Sequence, residues 1–297
     1  MSQLRCIVVG HNLFPAGELA WRSAVALAEW SGAALYLLHV VEPYPIYQKL
    51  RFPTLPAEAL LEEVVLKTRS QLKKLAESPE LSYLRVVTDV HIGKPFVELI
   101  TVCRRWHGDL IIVGTTARGE ERFLGSTSER VLRKAPVPVL IAKQALTTGP
   151  KTILIPTDFS PCAKQAAEEA LSLVRGFGGR AVFLHVLDTR YLAAYGAETV
   201  LLPPVTPEDL EPDWQEFLRD LPLGGGLRWE KQTREGHAAQ TIAAVATEIG
   251  ADLVVISTHG RTGLAHMLLG SVAEKVVRAS VCSVLTVRPE AFRFELP

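Results

Sequence analysis

The chain has 297 residues, and at roughly 100–200 residues per domain two domains are the first expectation. Lys plus Arg and Asp plus Glu each number 32, so the formal charge is zero, which argues against a nucleic-acid binder that works by neutralising phosphates. Hydrophobic residues at 48% and charged residues at 22% exclude a disordered chain, and no apolar run reaches the roughly 18 residues of a membrane span.

In chain order, Cys6-Ile7-Val8-Val9 is the first apolar block, too short for a signal-peptide core. Cys6, Cys103, Cys162 and Cys282 lack CxxC spacing and read as reduced thiols of a cytoplasmic protein. The opening stretch from Cys6 to Pro15 lies over Thr152 to Pro161, with Asn12 over Asp158. At the same offset Leu38-His39-Val40 lies over Leu184-His185-Val186. Asp109-Leu110-Ile111-Ile112-Val113 then matches Asp252-Leu253-Val254-Val255-Ile256, and Leu124-Gly125-Ser126 matches Leu269-Gly270-Ser271. Preserved order at a nearly constant offset is the mark of a tandem duplication. The boundary falls near Thr147-Thr148-Gly149-Pro150, where patterning lapses, giving domains 1–146 and 151–290.

The second copy is the clearer one to read. Thr152–Ile155 is a strand, after which Ser160 suits an N-cap and Pro161 the first helical position. That helix is expected to stop at Gly176, before a strand over Ala181–Val186. A helix over Glu208–Leu221, a strand over Leu227–Thr233 and a helix over Ala238–Ile249 follow. Leu253–Ile256 is a strand, Val272–Ala279 a helix and Ser283–Val287 the last strand. The first copy follows the same order. Nearly all-apolar strands alternating with helices imply parallel strands buried on both faces. Each half is therefore read as a doubly wound five-stranded α/β domain with strand order 3-2-1-4-5. In that order Val137–Lys143 and Val281–Arg288 lie at sheet edges, where Pro138 is tolerable.

Open parallel sheets bind ligands beyond the carboxyl ends of their strands, where the strand order reverses. In the second copy that crevice receives Pro156-Thr157-Asp158 and the segment from Ser257 to Ser271. Gly260, Gly263 and Gly270 let backbone amides approach an anion, Ser271 can cap a helix, and the helix start adds about half a positive charge. Arg261 brings a full charge, and Asp158 can accept from ribose hydroxyls or hold a metal-bound water. The set describes a phosphate or nucleotide cradle. Its plainer alternative is a chain reversal before a helix, with Thr258 and His259 as solvated loop residues.

Two signatures carry a family resemblance. One is Ile155-Pro156-Thr157-Asp158-Phe159-Ser160; the other is Gly-x2-Gly-x9-Gly-Ser/Thr, present as Ser257, Thr258-His259, Gly260, nine residues, then Gly270-Ser271. On these the chain resembles the universal stress protein family across both halves. The resemblance implies an adenine nucleotide alpha hydrolase-like fold and ATP (or AMP or ADP) with Mg²⁺ in the C-terminal half. It also implies a regulatory role in stress. Carried over by position, it assigns nucleotide contacts to Asp158, Gly260, Gly270, Ser271 and Val272, and an adenine contact to the backbone of Val186. It further implies an intramolecular pseudo-dimer in which the last strands meet.

The departures are specific. Ser257 stands where the motif has its first glycine, a substitution worth on the order of 1 kcal/mol if that position needs positive φ. In the first half Asn12 replaces the aspartate and Ala117 the second glycine. That loop is also shorter, and Glu120 and Glu121 add negative charge. The first half reads as a degenerate partner.

Other signals are weak. Gly176 to Ala181 fits GxGxxA but follows a helix, the reverse of a dinucleotide fingerprint, and neither a GxSxG elbow nor HExxH is present. His39 and His185 read as structural. Cys162, near a helix start, reads as a small core residue rather than a redox thiol. No general base stands out, so catalytic residues are not assigned and hydrolysis by positioning alone would be slow. A nucleotide-independent scaffold for a protein partner or homodimer, and a genuine ATPase or phosphotransferase, are the alternatives. Nucleic-acid and membrane partners are not expected.

Overall fold

A computed structural model describes residues 4–43, 57–118, 121–188, 206–260 and 269–288. The chain divides between Thr147 and Thr148 into two compact units.

In the N-terminal unit, β1 (Cys6–Gly10), α1 (Pro15–Ser31), β2 (Ala34–Val41), α2 (Ala57–Ala76), β3 (Val86–Ile92), α3 (Pro95–Arg105) and β4 (Leu110–Gly114) follow in turn. A short hairpin, β5 (Thr116–Arg118) and β6 (Glu121–Phe123), precedes α4 (Ser126–Lys134) and β7 (Val139–Ala142). The main sheet runs β3-β2-β1-β4-β7 with every pair parallel.

The C-terminal unit repeats the pattern with β8 (Thr152–Thr157), α5 (Pro161–Phe177), β9 (Arg180–Leu187), α6 (Glu211–Leu218) and β10 (Arg228–Glu235). It ends with α7 (Ala238–Glu248), β11 (Leu253–Ser257), α8 (Ser271–Ala279) and β12 (Ser283–Val287). Its order is β10-β9-β8-β11-β12, again parallel throughout. Among the described residues, no helix is long and apolar enough to cross a membrane.

The central strands are buried along nearly their whole length because helices cover both faces. Right-handed crossovers put α1 and α2 on one face and, once the chain returns to β4, α3 and α4 on the other. The duplication extends to a fine detail at the amino ends of the strands. Asp109 Oδ2 accepts from the amides of Arg5 and Cys6, and Asp252 Oδ2 accepts from those of Lys151 and Thr152. Each carboxylate satisfies donors that the ladder leaves unpaired at the start of its first strand.

Several element ends differ from the sequence expectation: β8 runs on past Ile155 to Thr157 and β10 past Thr233 to Glu235, and three further differences have a local cause. Helix α5 passes through Gly176 and stops at Gly178, whose φ of 67° gives the left-handed cap that its amide closes onto Val174 O. The helix expected over Glu208–Leu221 is a 3₁₀ turn at Glu208–Leu210 followed by α6, because Pro212 fits only a first helical turn. Helix α8 begins at Ser271 itself, so its N-cap is Gly270 and the Ser271 side chain does not cap it. The β5–β6 hairpin is an addition; its strands are too short and polar to show a period.

Candidate functional site

In the C-terminal half the strand order reverses between β8 and β11, and the loops leaving these strands build the site. Pro156 and Thr157 end β8 in buried positions. Thr157 Oγ1 accepts from the Phe159 amide at 2.9 Å, and Asp158 Oδ1 accepts from the Ser160 amide at 3.0 Å. Ser160 Oγ then accepts from the Ala163 amide at 3.2 Å and caps α5, as its residue type foretells. The result is a tight turn that holds the half-buried Asp158 carboxylate at the carboxyl end of β8.

This turn requires Phe159 to adopt a left-handed backbone, φ 62°, at a cost of about 1–2 kcal/mol for a residue with a Cβ. Its ring offsets that cost. It stacks on His185 at 4.4 Å between centroids and meets Trp214 and Phe217 edge-on at 5.0 and 5.8 Å. Such pairs contribute about 0.5–1.5 kcal/mol each beyond area burial. The sequence shows Phe159 only as a member of the Ile155–Ser160 motif and gives no sign of its left-handed turn or of the aromatic cluster. The cluster joins residues far apart in the chain, so no local period marks it.

His185 Nδ1 donates to Thr157 O at 2.9 Å and so ties the ends of β9 and β8 together. His39 makes the equivalent bond to His11 O at 2.7 Å. Both bonds join the ends of neighbouring strands, which is what a structural reading of the two histidines calls for. The β8–β9 ladder ends at the pair Thr157 and His185, whereas β9 continues beside β10 to Leu187. Val186 therefore lies one residue past the last pair on the crevice side, half-buried. Burial and then the charge of Asp158 push the Cys162 thiol up from its ordinary value.

The second loop leaves β11 at Ser257. Thr258 N donates to Val287 O, and Thr258 O accepts from the Gly270 amide at 2.7 Å, which closes the base of the loop. Ser257 Oγ donates to His259 O, and Thr258 Oγ1 pairs with His259 Nδ1. Both hydroxyls are thus engaged locally, and Thr258 is fully buried. Ser257 is not among the residues with positive φ, so it carries none of the strain its substitution could have brought. Arg261 and Gly263 lie outside the described residues, as does Glu120 of the first half.

Two glycines fit this arrangement by close approach. A Cβ on Gly270 would lie 2.8 Å from the Thr258 carbonyl oxygen, and one on Gly260 would lie 2.5 Å from Asp158 Oδ2. The second distance brings the two expected loops together, with Gly260 directly against the Asp158 carboxylate. Ser271 and Val272 are exposed in the first turn of α8, where helix geometry leaves amides without intrahelical acceptors. The N-cap glycine has no side chain to occupy them, and the helix start favours a negative group.

The N-terminal crevice uses the same strands differently. Leu13 repeats the left-handed turn with φ 61°. Asn12 Oδ1, however, accepts from both the Phe14 and Gly17 amides, at 3.1 and 3.0 Å, and so serves α1 itself. A Cβ on Gly114 would overlap the Ala16 carbonyl, because the first turn of α1 presses on the end of β4. The matching Ser257 carries its side chain there. Beyond Thr115 the chain enters the β5–β6 hairpin.

The model of the Universal stress protein family matches residues 4–143 and again 149–288. A universal stress protein of Methanocaldococcus jannaschii is 33% identical over 141 residues, covering 46% of this chain and 82% of that protein. One from Mycolicibacterium smegmatis is 27% identical over 299 residues, covering 95% and 97%. The crystal structure of a universal stress protein from Archaeoglobus fulgidus shares the fold with a TM-score of 0.69 at 22% identity, covering 96% of this chain and 97% of that one. The chain therefore belongs to the universal stress protein family and carries its domain twice in tandem.

Proposed function

We propose that the C-terminal half binds an adenine nucleotide, ATP above all, between the loops after β8 and β11, and that the chain acts as a nucleotide-dependent regulator. The carrying observation is the close approach of Gly260 to Asp158, which makes one crevice of two loops distant in sequence. The phosphates would lie along Gly260, Gly270, Ser271 and Val272, where the helix start favours their charge. Ser257, Thr258 and His259 hold that loop in shape through their mutual bonds. Arg261 would add a cation.

On the opposite side Pro156 and Thr157 lead into Asp158, whose carboxylate suits ribose hydroxyls or water on a magnesium ion. Magnesium would arrive mainly on the phosphates, as it does where one carboxylate faces a nucleotide. The backbone of Val186, past the end of the β8 ladder, suits the adenine edge. These donors bind and orient phosphates; hydrolysis by such a site rests on positioning and is slow.

Calorimetry of the full chain with Mg-ATP tests this. Gly270→Ala forces a methyl group against a backbone carbonyl and is expected to weaken binding at least about tenfold, some 1.4 kcal/mol. Equal affinities for the variant and the parent chain reject the site.

A further inference from the structure

In the N-terminal half a string of polar side chains joins two strands to a helix. Tyr36 Oη donates to Asp89 Oδ2 at 2.8 Å, and His91 Nε2 lies 3.0 Å from the same oxygen. The other ring nitrogen, His91 Nδ1, lies 2.8 Å from Glu98 Oε2 in the first turn of α3. Register sets Asp89 beside Leu38 and His91 beside Val40, so both share the sheet face of Tyr36. Trp106, just past α3, packs on the Tyr36 ring at 4.9 Å.

A neutral imidazole has one N–H and one lone pair. With a carboxylate oxygen at hydrogen-bond distance from each nitrogen, only the imidazolium satisfies both contacts. Loss of the proton turns one contact into a lone pair facing a negative oxygen. The surrounding charges agree with this geometry. Burial lowers the His91 pKa, but the bonds to Glu98 and Asp89 outweigh it and leave the pKa raised. Burial likewise pushes Asp89 up, and the bonds from Tyr36, the Val90 amide and His91 outweigh it, leaving Asp89 a carboxylate. Burial and then Asp89 hold Tyr36 protonated, with Arg105 opposing weakly. These groups come from β2, β3 and α3, the elements packed around His91; α1 and α2 cover the other face.

The C-terminal half has a different group at this place. The residue beside Val186 on β10 is Arg234, which pairs with Glu248 at 2.8 Å and Gln232 at 3.3 Å. Arginine keeps its charge at any physiological pH, whereas histidine does not.

We infer that His91 is a proton-operated clamp. Charged, it ties the carboxyl end of β3 to the first turn of α3; uncharged, it releases Glu98 and loosens the loop through Gly93 and Lys94. That loop is also held by the Gly93 amide on Val41 O at 3.0 Å and by the Val97 and Glu98 amides on Lys94 O at 3.0 and 3.1 Å, and it lies at the end of the sheet where open parallel folds carry their ligand-binding loops. Because the folded pKa is raised, the clamp is complete below about pH 6.5 and is lost as pH rises through the folded value.

Histidine ring titration by NMR on the full chain, with amide exchange of residues 93–98 corrected for intrinsic rates, tests the clamp. His91 titrates above about 6.5, and protection at 93–98 falls with rising pH by up to about tenfold per unit of that elevation. Protection at the matching residues 236–241 does not follow it. His91→Arg, which copies Arg234, removes the pH dependence, and His91→Gln leaves protection low throughout. A His91 that titrates at or below the ordinary value, or wild-type protection at 93–98 that ignores pH, overturns the inference. The wild-type measurement decides even if a variant fails to fold.

Discussion

The two crevices are built on one strand order and one left-handed turn, yet they differ in what fills them. In the C-terminal half Asp158 faces Gly260 and the loop to α8 starts from a serine with room for its side chain. In the N-terminal half Asn12 turns back to cap α1, and the backbone of Ala16 occupies the space beside Gly114. The Phe14 and Ser160 amides bond residues 12 and 158 alike, so the difference is at the next amide, which Asn12 takes from Gly17 and Ser160 takes from Ala163. A polar crevice becomes a packed helix start. A duplicated fold can thus keep its frame while one copy packs a helix start where the other keeps polar side chains at the crevice.

The comparison can be broken most forcefully at the turn itself. Phe159→Ala removes the ring that offsets a left-handed backbone, and is expected to destabilise the C-terminal half by about 3 kcal/mol, near the low end for an aromatic because Phe159 is half-buried. Leu13→Ala, at the matching turn without an aromatic cluster, should cost less. Chemical denaturation of both variants checks the difference, and equal losses would dissolve it.

Acid sharpens it next. His11 stands where the second half has Thr157, and burial lowers its pKa to about 4, with Glu18 and His39 as smaller influences. Its Nδ1 accepts from the Leu13 amide, so the neutral ring carries its proton on Nε2, a buried atom without a described partner. The folded pKa lies below the unfolded value of about 6.5, so the contribution is present above that pH and is lost as pH falls through about 4. The shift corresponds to about 3 kcal/mol. His11→Thr should flatten the acid limb of a Tm-against-pH curve; an unchanged limb assigns the acid sensitivity elsewhere.

Exchanging the residues after the fourth strands tests the packing difference. Gly114→Ser drives a side chain into the Ala16 carbonyl and should cost about 2 kcal/mol, whereas Ser257→Gly should cost well under that. Thermal melts of the pair would show the asymmetry. The smallest effect belongs to the charge itself. Asp158→Asn should weaken Mg-ATP by about fivefold, on the order of 1 kcal/mol, while Asn12→Asp adds no second site to the calorimetric stoichiometry.

Much of this was legible in the residues. The apolar strands, the Ser160-Pro161 helix start and the repeat are local or periodic signals, and they led to a parallel sheet in each half. The meeting of Asp158 with Gly260 followed from where strand order reverses. Helix ends were less legible, as Gly176 and Ser271 show, because neighbouring glycines and serines can each serve as a cap and packing selects among them. The engagement of Thr258 and His259 with each other rather than with solvent was also out of reach.

By itself, then, the sequence determined the duplicated α/β frame and the loops that carry polar chemistry, since strand and helix periods and turn residues act over a few positions. Only the tertiary structure decided that Phe159 is held left-handed by His185, Trp214 and Phe217, that α1 presses on Gly114, and that His91 lies between two carboxylates. Each of these depends on side chains from separate elements arriving within a few ångströms of one another. That is settled when the sheet and its covering helices close together, and it leaves no mark on any short stretch of the chain.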